Sequence, residues 1–157
     1  MHLTALLDDV VAVPKPIRTA VAHLLGFDDA ERLYESLKTP VTDRAIPERL
    51  LNRLAVTYRI GERDLQQIPK SGPVVVVANH PFGILEGAVL ATALARVRPD
   101  VRFLANDVLS AIPEIKDLLI PVDAMGGSSA AQRNTSGLRR SIEFLQGGGC
   151  LVVFPAG

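Results

Sequence analysis

Five consecutive apolar residues, Val74-Val75-Val76-Val77-Ala78, sit between the turn Pro69-Lys70-Ser71-Gly72-Pro73 and the polar Asn79-His80. A β-branched run with no polar alternation predicts a strand buried on both faces, the kind found in parallel sheets covered by helices. The rest of the second half fits that frame. Glu86–Val97 is a small-residue helix closed by Pro99, Val101–Ala105 a strand, Val108–Leu119 a helical stretch interrupted by Pro113, and Leu119–Val122 a short strand. Gly126–Ala131 is a loop, Thr135–Leu145 a helix stopped by Gly147-Gly148-Gly149, and Cys150–Phe154 a last buried strand. Ala55–Ile60, rich in β-formers and ended by Gly61, predicts one more strand ahead of these. Strands alternating with helices imply βαβ units, hence an α/β domain with a mixed, largely parallel sheet. In such sheets ligands bind at the carboxyl ends of the strands.

Residues 1–54 read differently. Leu3, Leu6, Leu7 and Val10 share a helix face, Pro16 can open a second helix that Gly26 stops, Asp28–Lys38 suits a third, and Pro47 opens a fourth with Leu50, Leu51 and Leu54. The expected organisation is a helical region over 1–54 and an α/β domain over 55–157. The final strand runs almost directly into Gly157. A domain seldom ends so close to an interior strand, so the expectation is a C-terminally truncated domain in which an edge of that strand lacks its neighbour.

Charge narrows the function. Among 157 residues, 17 Lys and Arg balance 17 Asp and Glu, and no polybasic block occurs, so no nucleic-acid partner is expected. The single cysteine, Cys150, allows neither an intrachain disulfide nor a cysteine zinc cluster, and it reads as an inert core thiol. His2 and His23 have no companion ligands, so no metal site is expected. No stretch matches the ~20 apolar residues that span a bilayer. The early Asp8-Asp9 does not suit a signal peptide, which leaves a cytoplasmic protein, soluble or peripheral on a membrane. The Leu3–Val10 face suits either the bilayer surface or the α/β core.

The strongest chemical signal is Asn79-His80-Pro81-Phe82-Gly83-Ile84-Leu85-Glu86-Gly87. It places a histidine just past the valine strand, a Pro/Gly turn after it, and a carboxylate in the first turn of the next helix, where the helix dipole favours it. A carboxylate bonded to one ring nitrogen fixes the imidazole and stabilises its charged form. The other nitrogen is then free to take a proton. The same residues also suit a simple helix-capping turn. Elsewhere the signals are weaker: Ser128 and Ser129 lack a nucleophile elbow, and Arg139 and Arg140 suit either a solvated helix face or an anionic headgroup.

This motif resembles the first motif of the PlsC-like glycerolipid and lysophospholipid acyltransferases. Their usual signature is Asn-His, four residues, then Asp. The present spacing of five residues and a Glu resembles a divergent, hemolysin-like or ornithine-lipid-type branch. Val101–Ala105 and Ile120-Pro121-Val122-Asp123 resemble later segments in order, with Ala124 where the family usually has Arg and Arg133 as a possible substitute. Phe154-Pro155-Ala156-Gly157 resembles the family's Phe-Pro-Glu-Gly acceptor motif, with Ala156 in place of Glu.

The resemblance implies a PlsC-like fold and an acyltransferase. It implies His80 as general base and Glu86 as its partner, with Asn79, Phe82, Gly83, Arg133, Phe154, Pro155 and Gly157 as substrate-binding positions. It further implies acyl-CoA or acyl carrier protein as acyl donor, with no other cofactor and no metal. The acceptor would be a glycerolipid, lysophospholipid or lyso-aminolipid met at the cytoplasmic face of a membrane. The competing expectations are a non-catalytic lipid-binding or inactive truncated homologue, and a hydrolase in which His80 activates water.

Overall fold

The structure, a computed structural model, describes residues 27–38, 45–81, 83–123 and 130–155. Two compact units divide the chain, Met1–Asp43 and Arg44–Gly157. Within the first, α1 (Phe27–Lys38) is the helix expected from Asp28 to Lys38, and its Leu37 is buried. The expected helices before it lie outside the described residues.

The second unit opens with α2 (Ile46–Arg53), which has Pro47 in its first turn. Ile46, Leu50 and Leu51 are buried, so this helix, which the sequence groups with the N-terminal region, is part of the sheet-bearing unit. The strand expected over Ala55–Ile60 does not form. Ala55 instead takes a left-handed conformation (φ 52°), and the Val56 amide donates back to the Leu51 carbonyl at 2.9 Å. That closes α2 in a Schellman-type cap. β-propensity is realised only against a neighbouring strand, and here the backbone satisfies the helix end. A short helix, α3 (Glu62–Gln66), follows and buries Leu65.

Four strands make one sheet: β1 (Val74–Val77), β2 (Val101–Asn106), β3 (Leu119–Val122) and β4 (Cys150–Val153), in the order β1-β4-β2-β3. Every pairing is parallel. The α/β expectation therefore holds, with a parallel rather than mixed sheet among the described residues. α4 (Ile84–Leu94) connects β1 to β2 and α5 (Ala130–Gln146) leads into β4. The stretch expected to be helical over Val108–Leu119 is two 3₁₀ turns, Asp107–Ala111 and Lys116–Leu118, on either side of Pro113. The missing amide of proline explains the break.

The sheet sorts its side chains by alternation. Val101 and Phe103 of β2 and Cys150 and Val152 of β4 form a buried cluster with Leu94 of α4, and Val74, Val76, Leu90 and Ala91 pack against it. On the opposite face Arg102 lies over the Phe144 ring of α5, 4.8 Å from its centroid. α5 approaches β3 closely: a Cβ on Gly137 would lie 2.5 Å from Val122 Cγ1 and 2.7 Å from the Pro121 carbonyl oxygen.

Two expectations are corrected by this topology. β1 is an edge strand, and Val75 and Val77 are 51% and 64% exposed; its valine run is not buried on both faces. β4 has neighbours on both sides, so the strand expected to lack a partner is an interior one. A valine run reports β-preference, and which strand lies centrally is decided by the crossovers.

At the amino ends of the strands, Arg98 is 1% exposed. All five of its N–H groups donate: two to the Asp100 carboxylate (2.8 and 2.7 Å) and one each to the carbonyls of Pro69 (2.8 Å), Gly72 (3.0 Å) and Gly148 (2.6 Å). The turn before β1, the α4–β2 connection and the α5–β4 glycine turn are thereby tied to one side chain. Its hydrogen bonds to Asp100 hold the guanidinium pKa above the ordinary value and that carboxyl below the usual carboxylate range.

Candidate functional site

The opposite, carboxyl end of the sheet carries the residues expected at the site. β1 and β4 run in register from Val74↔Cys150 to Val77↔Val153, and the Ala78 amide extends the ladder to the Val153 carbonyl at 3.2 Å. Asn79 and His80 follow, so the histidine emerges where the edge strand leaves the sheet. Gly83 then turns the chain into α4 with φ 70° and ψ −120°, a conformation that only glycine adopts without strain. Open space surrounds the position of its absent Cβ, so the requirement for glycine there is conformational. The turn places Glu86 in the first turn of α4, facing back toward the imidazole.

His80 Nδ1 lies 3.7 Å from Glu86 Oε2. The side chains are 27% and 20% exposed, but both of these atoms are buried, and Nδ1 makes no hydrogen bond. The separation is about 0.8 Å longer than a good charge-assisted hydrogen bond. Catalytic hydrogen bonds are often long in an unliganded site and tighten as charge develops. On its ring face His80 stacks against Phe154, with centroids 4.3 Å apart and planes 29° from parallel. Phe154 in turn lies 6.4 Å from the buried Phe103.

Of the positions expected at the site, His80, Glu86, Gly83 and Phe154 come together. Asn79 and Pro155 flank them and are exposed. Phe82, Gly157 and the side chain of Arg133 lie outside the described residues, although the Arg133 backbone belongs to the first turn of α5. The neighbouring Asn134 is a residue the sequence reading passed over. Its Oδ1 accepts from the Asp123 amide at 2.6 Å and its Nδ2 donates to the Asp123 carbonyl at 2.8 Å, which fixes the chain leaving β3. Nothing in the sequence pattern marks that clamp. Among the described residues no group of three or more His, Cys, Asp or Glu could hold a metal ion, and no helix is long and apolar enough to cross a membrane.

The Acyltransferase family matches residues 41–157, a range that includes His80 and Glu86. The chain belongs to the Acyltransferase family. It is similar to a lyso-glycine lipid O-acyltransferase of Phocaeicola vulgatus, 32% identical over 118 residues, which is 74% of this chain and 41% of that protein. A lyso-glycine lipid O-acyltransferase of Bacteroides thetaiotaomicron is 26% identical over 101 residues, covering 63% of this chain and 35% of that protein. The aligned region is thus about two fifths of the length of these relatives. No solved structure matches the chain. The acyltransferase resemblance read from the Asn79–Gly87 and Phe154–Gly157 motifs therefore agrees with family membership. The family match begins at residue 41, close to the Arg44 start of the sheet-bearing unit.

Proposed function

We propose that this chain carries the catalytic unit of a lipid acyltransferase, which moves a fatty acyl group from a thioester to the hydroxyl of a lyso-lipid, with His80 as the general base. The observation that carries the reading is the buried His80 Nδ1 facing the buried Glu86 Oε2 at 3.7 Å, at the end of the sheet where substrates bind. With Nδ1 turned to the carboxylate, Nε2 is the nitrogen that takes the acceptor's proton. The acceptor oxygen attacks the thioester carbonyl, and the tetrahedral intermediate expels the thiolate. The imidazolium then returns its proton to the sulfur, leaving a new ester and a free thiol. Glu86 stabilises the imidazolium by closing toward Nδ1 as the charge forms.

The donor in this scheme is acyl-CoA or acyl carrier protein, and the scheme calls for no metal and no further cofactor. The relatives named for lyso-glycine lipids support an acceptor with an amino-acid headgroup, among the glycerolipid, lysophospholipid and lyso-aminolipid classes. Such an acceptor is met at a membrane surface, and its thioester donors belong to the cytoplasmic side.

The test follows thioester consumption by the 157-residue chain with and without lyso-lipid. Acceptor-dependent turnover that falls roughly 10²–10⁴-fold in His80→Ala supports the base. Glu86→Gln should also lose activity, because the amide keeps the size and loses the charge. Consumption that proceeds equally without acceptor would identify a hydrolase. Near-normal transfer by folded His80→Ala would make the turn a structural cap.

A further inference from the structure

The reading of His80 as a base leaves open what holds its ring. In the usual arrangement a hydrogen bond from one nitrogen to the carboxylate fixes the imidazole, but here that contact is 3.7 Å long and Nδ1 is unbonded. Rotation about the terminal bond of a histidine side chain meets only a broad, shallow preference, so an unbonded ring needs another constraint. The structure supplies one on the ring face, where Phe154 stacks at 4.3 Å.

Strand register explains the contact. β4 directs Cys150 and Val152 into the cluster shared with Leu94 and Phe103, and period two carries Phe154 to the same side, where it packs against that cluster. On β1 the same alternation runs through Val74 and Val76 toward Ala78 and His80. The two rings therefore emerge from neighbouring parallel strands on one face, the face from which α4 presents Glu86. Phe103, paired with Val152 across β2 and β4, backs the Phe154 ring at 6.4 Å.

We propose that Phe154, at a position the resembled family motif gives to acceptor binding, is a positioning residue for His80: it holds the plane of the imidazole, with Nδ1 on the Glu86 side and Nε2 left for the substrate proton. The same ring presents its negative face to an imidazole that becomes a cation during proton transfer. Its contribution therefore grows toward the transition state. This inference rests on the general-base reading, and its consequence is an effect on turnover rather than on acceptor affinity.

The experiment uses Phe154→Leu, which keeps apolar bulk and removes the ring, and Phe154→Tyr, which keeps the ring. The chain has three histidines, so the imidazole Cε1–H signal of His80 is identified as the one absent from His80→Gln. In the native chain that signal should show the upfield shift of a proton over an aromatic face. The shift should vanish in Phe154→Leu and persist in Phe154→Tyr. In acyl transfer, Phe154→Leu should lower kcat about tenfold, the order expected of one aromatic pair, with KM for the acceptor unchanged, and Phe154→Tyr should restore kcat.

A His80 signal that does not move in folded Phe154→Leu overturns the clamp. A rise in acceptor KM at unchanged kcat overturns it as well and returns Phe154 to acceptor binding. If Leu at this position prevents folding, Phe154→Met repeats both measurements with a flexible apolar side chain. The resonance arm needs no turnover, so a chain without acyltransferase activity would refute the functional reading and still decide whether Phe154 holds the ring.

Discussion

At the amino ends of the strands, Arg98 is buried and every one of its N–H groups has an acceptor. At the carboxyl ends, His80 Nδ1 is buried with no hydrogen bond, and the carboxylate that faces it stands 3.7 Å away. The first arrangement is what a stable fold selects, since an orphaned buried donor costs about 1–3 kcal/mol. The second leaves a buried ring nitrogen without a hydrogen bond, as the proposed general base would. One sheet thus keeps a fully bonded ion pair at the end that ties the loops together and the looser His80–Glu86 contact at the end that carries the candidate site.

The sharpest way to break this comparison is to exchange the two losses. His80→Ala should cost the activity stated above while leaving the urea midpoint of unfolding nearly unchanged. Arg98→Met should do the reverse, removing about 3 kcal/mol of stability by leaving Asp100 and three carbonyls without their donor. The fraction that stays folded should turn over normally. Equal effects of both substitutions on both measurements would show that the two ends are not separable.

A smaller effect is expected at Gly137, where α5 meets the last residues of β3. Helix propensity alone says that Gly137→Ala should stabilise α5 by about 1 kcal/mol. The close approach of Val122 and the Pro121 carbonyl says that the added methyl must push α5 off β3. The net expectation is a loss of about 1 kcal/mol, because overpacking of this kind costs about 1–3 kcal/mol, read from denaturant unfolding.

The smallest effect concerns acid. Asp100 is held below the usual carboxylate range by its hydrogen bonds to Arg98, so its contribution is fully present above the unfolded-state pKa of about 3.9 and is lost as pH falls through the lower folded value. Asp100→Asn should therefore flatten the fall in stability below about pH 4. Its carboxylate is 40% exposed, so the change should be modest beside that of Arg98→Met.

The pairing at the candidate site was legible in the sequence, and less of its surroundings. The Asn79–Gly87 spacing places a histidine after a strand and a carboxylate in the next helical turn, and the structure brings the two together because Gly83 can adopt the required turn. Phe154 was legible as a motif position but not as a partner of His80, since stacking depends on β4 lying beside β1, and no local pattern states which strands are neighbours. The Asn134 clamp and the three carbonyl bonds of Arg98 were illegible for the same reason: those partners lie 11 to 50 residues away.

The sequence by itself determined that the second part of this chain alternates helices with strands of a largely parallel sheet, because runs such as Cys150–Val153 favour extended backbone and turn glycines such as Gly148 permit the positive φ between elements. It also determined the order of the catalytic candidates along the chain. Tertiary structure decided that β4 is an interior strand and β1 an edge strand among the described residues, that Ala55–Ile60 ends a helix instead of joining the sheet, and that an aromatic ring from one strand stacks on the histidine of the next. The physical reason is one of range. Propensity and capping act over a few residues, whereas strand order, burial and stacking are settled only when distant segments compete for the same core.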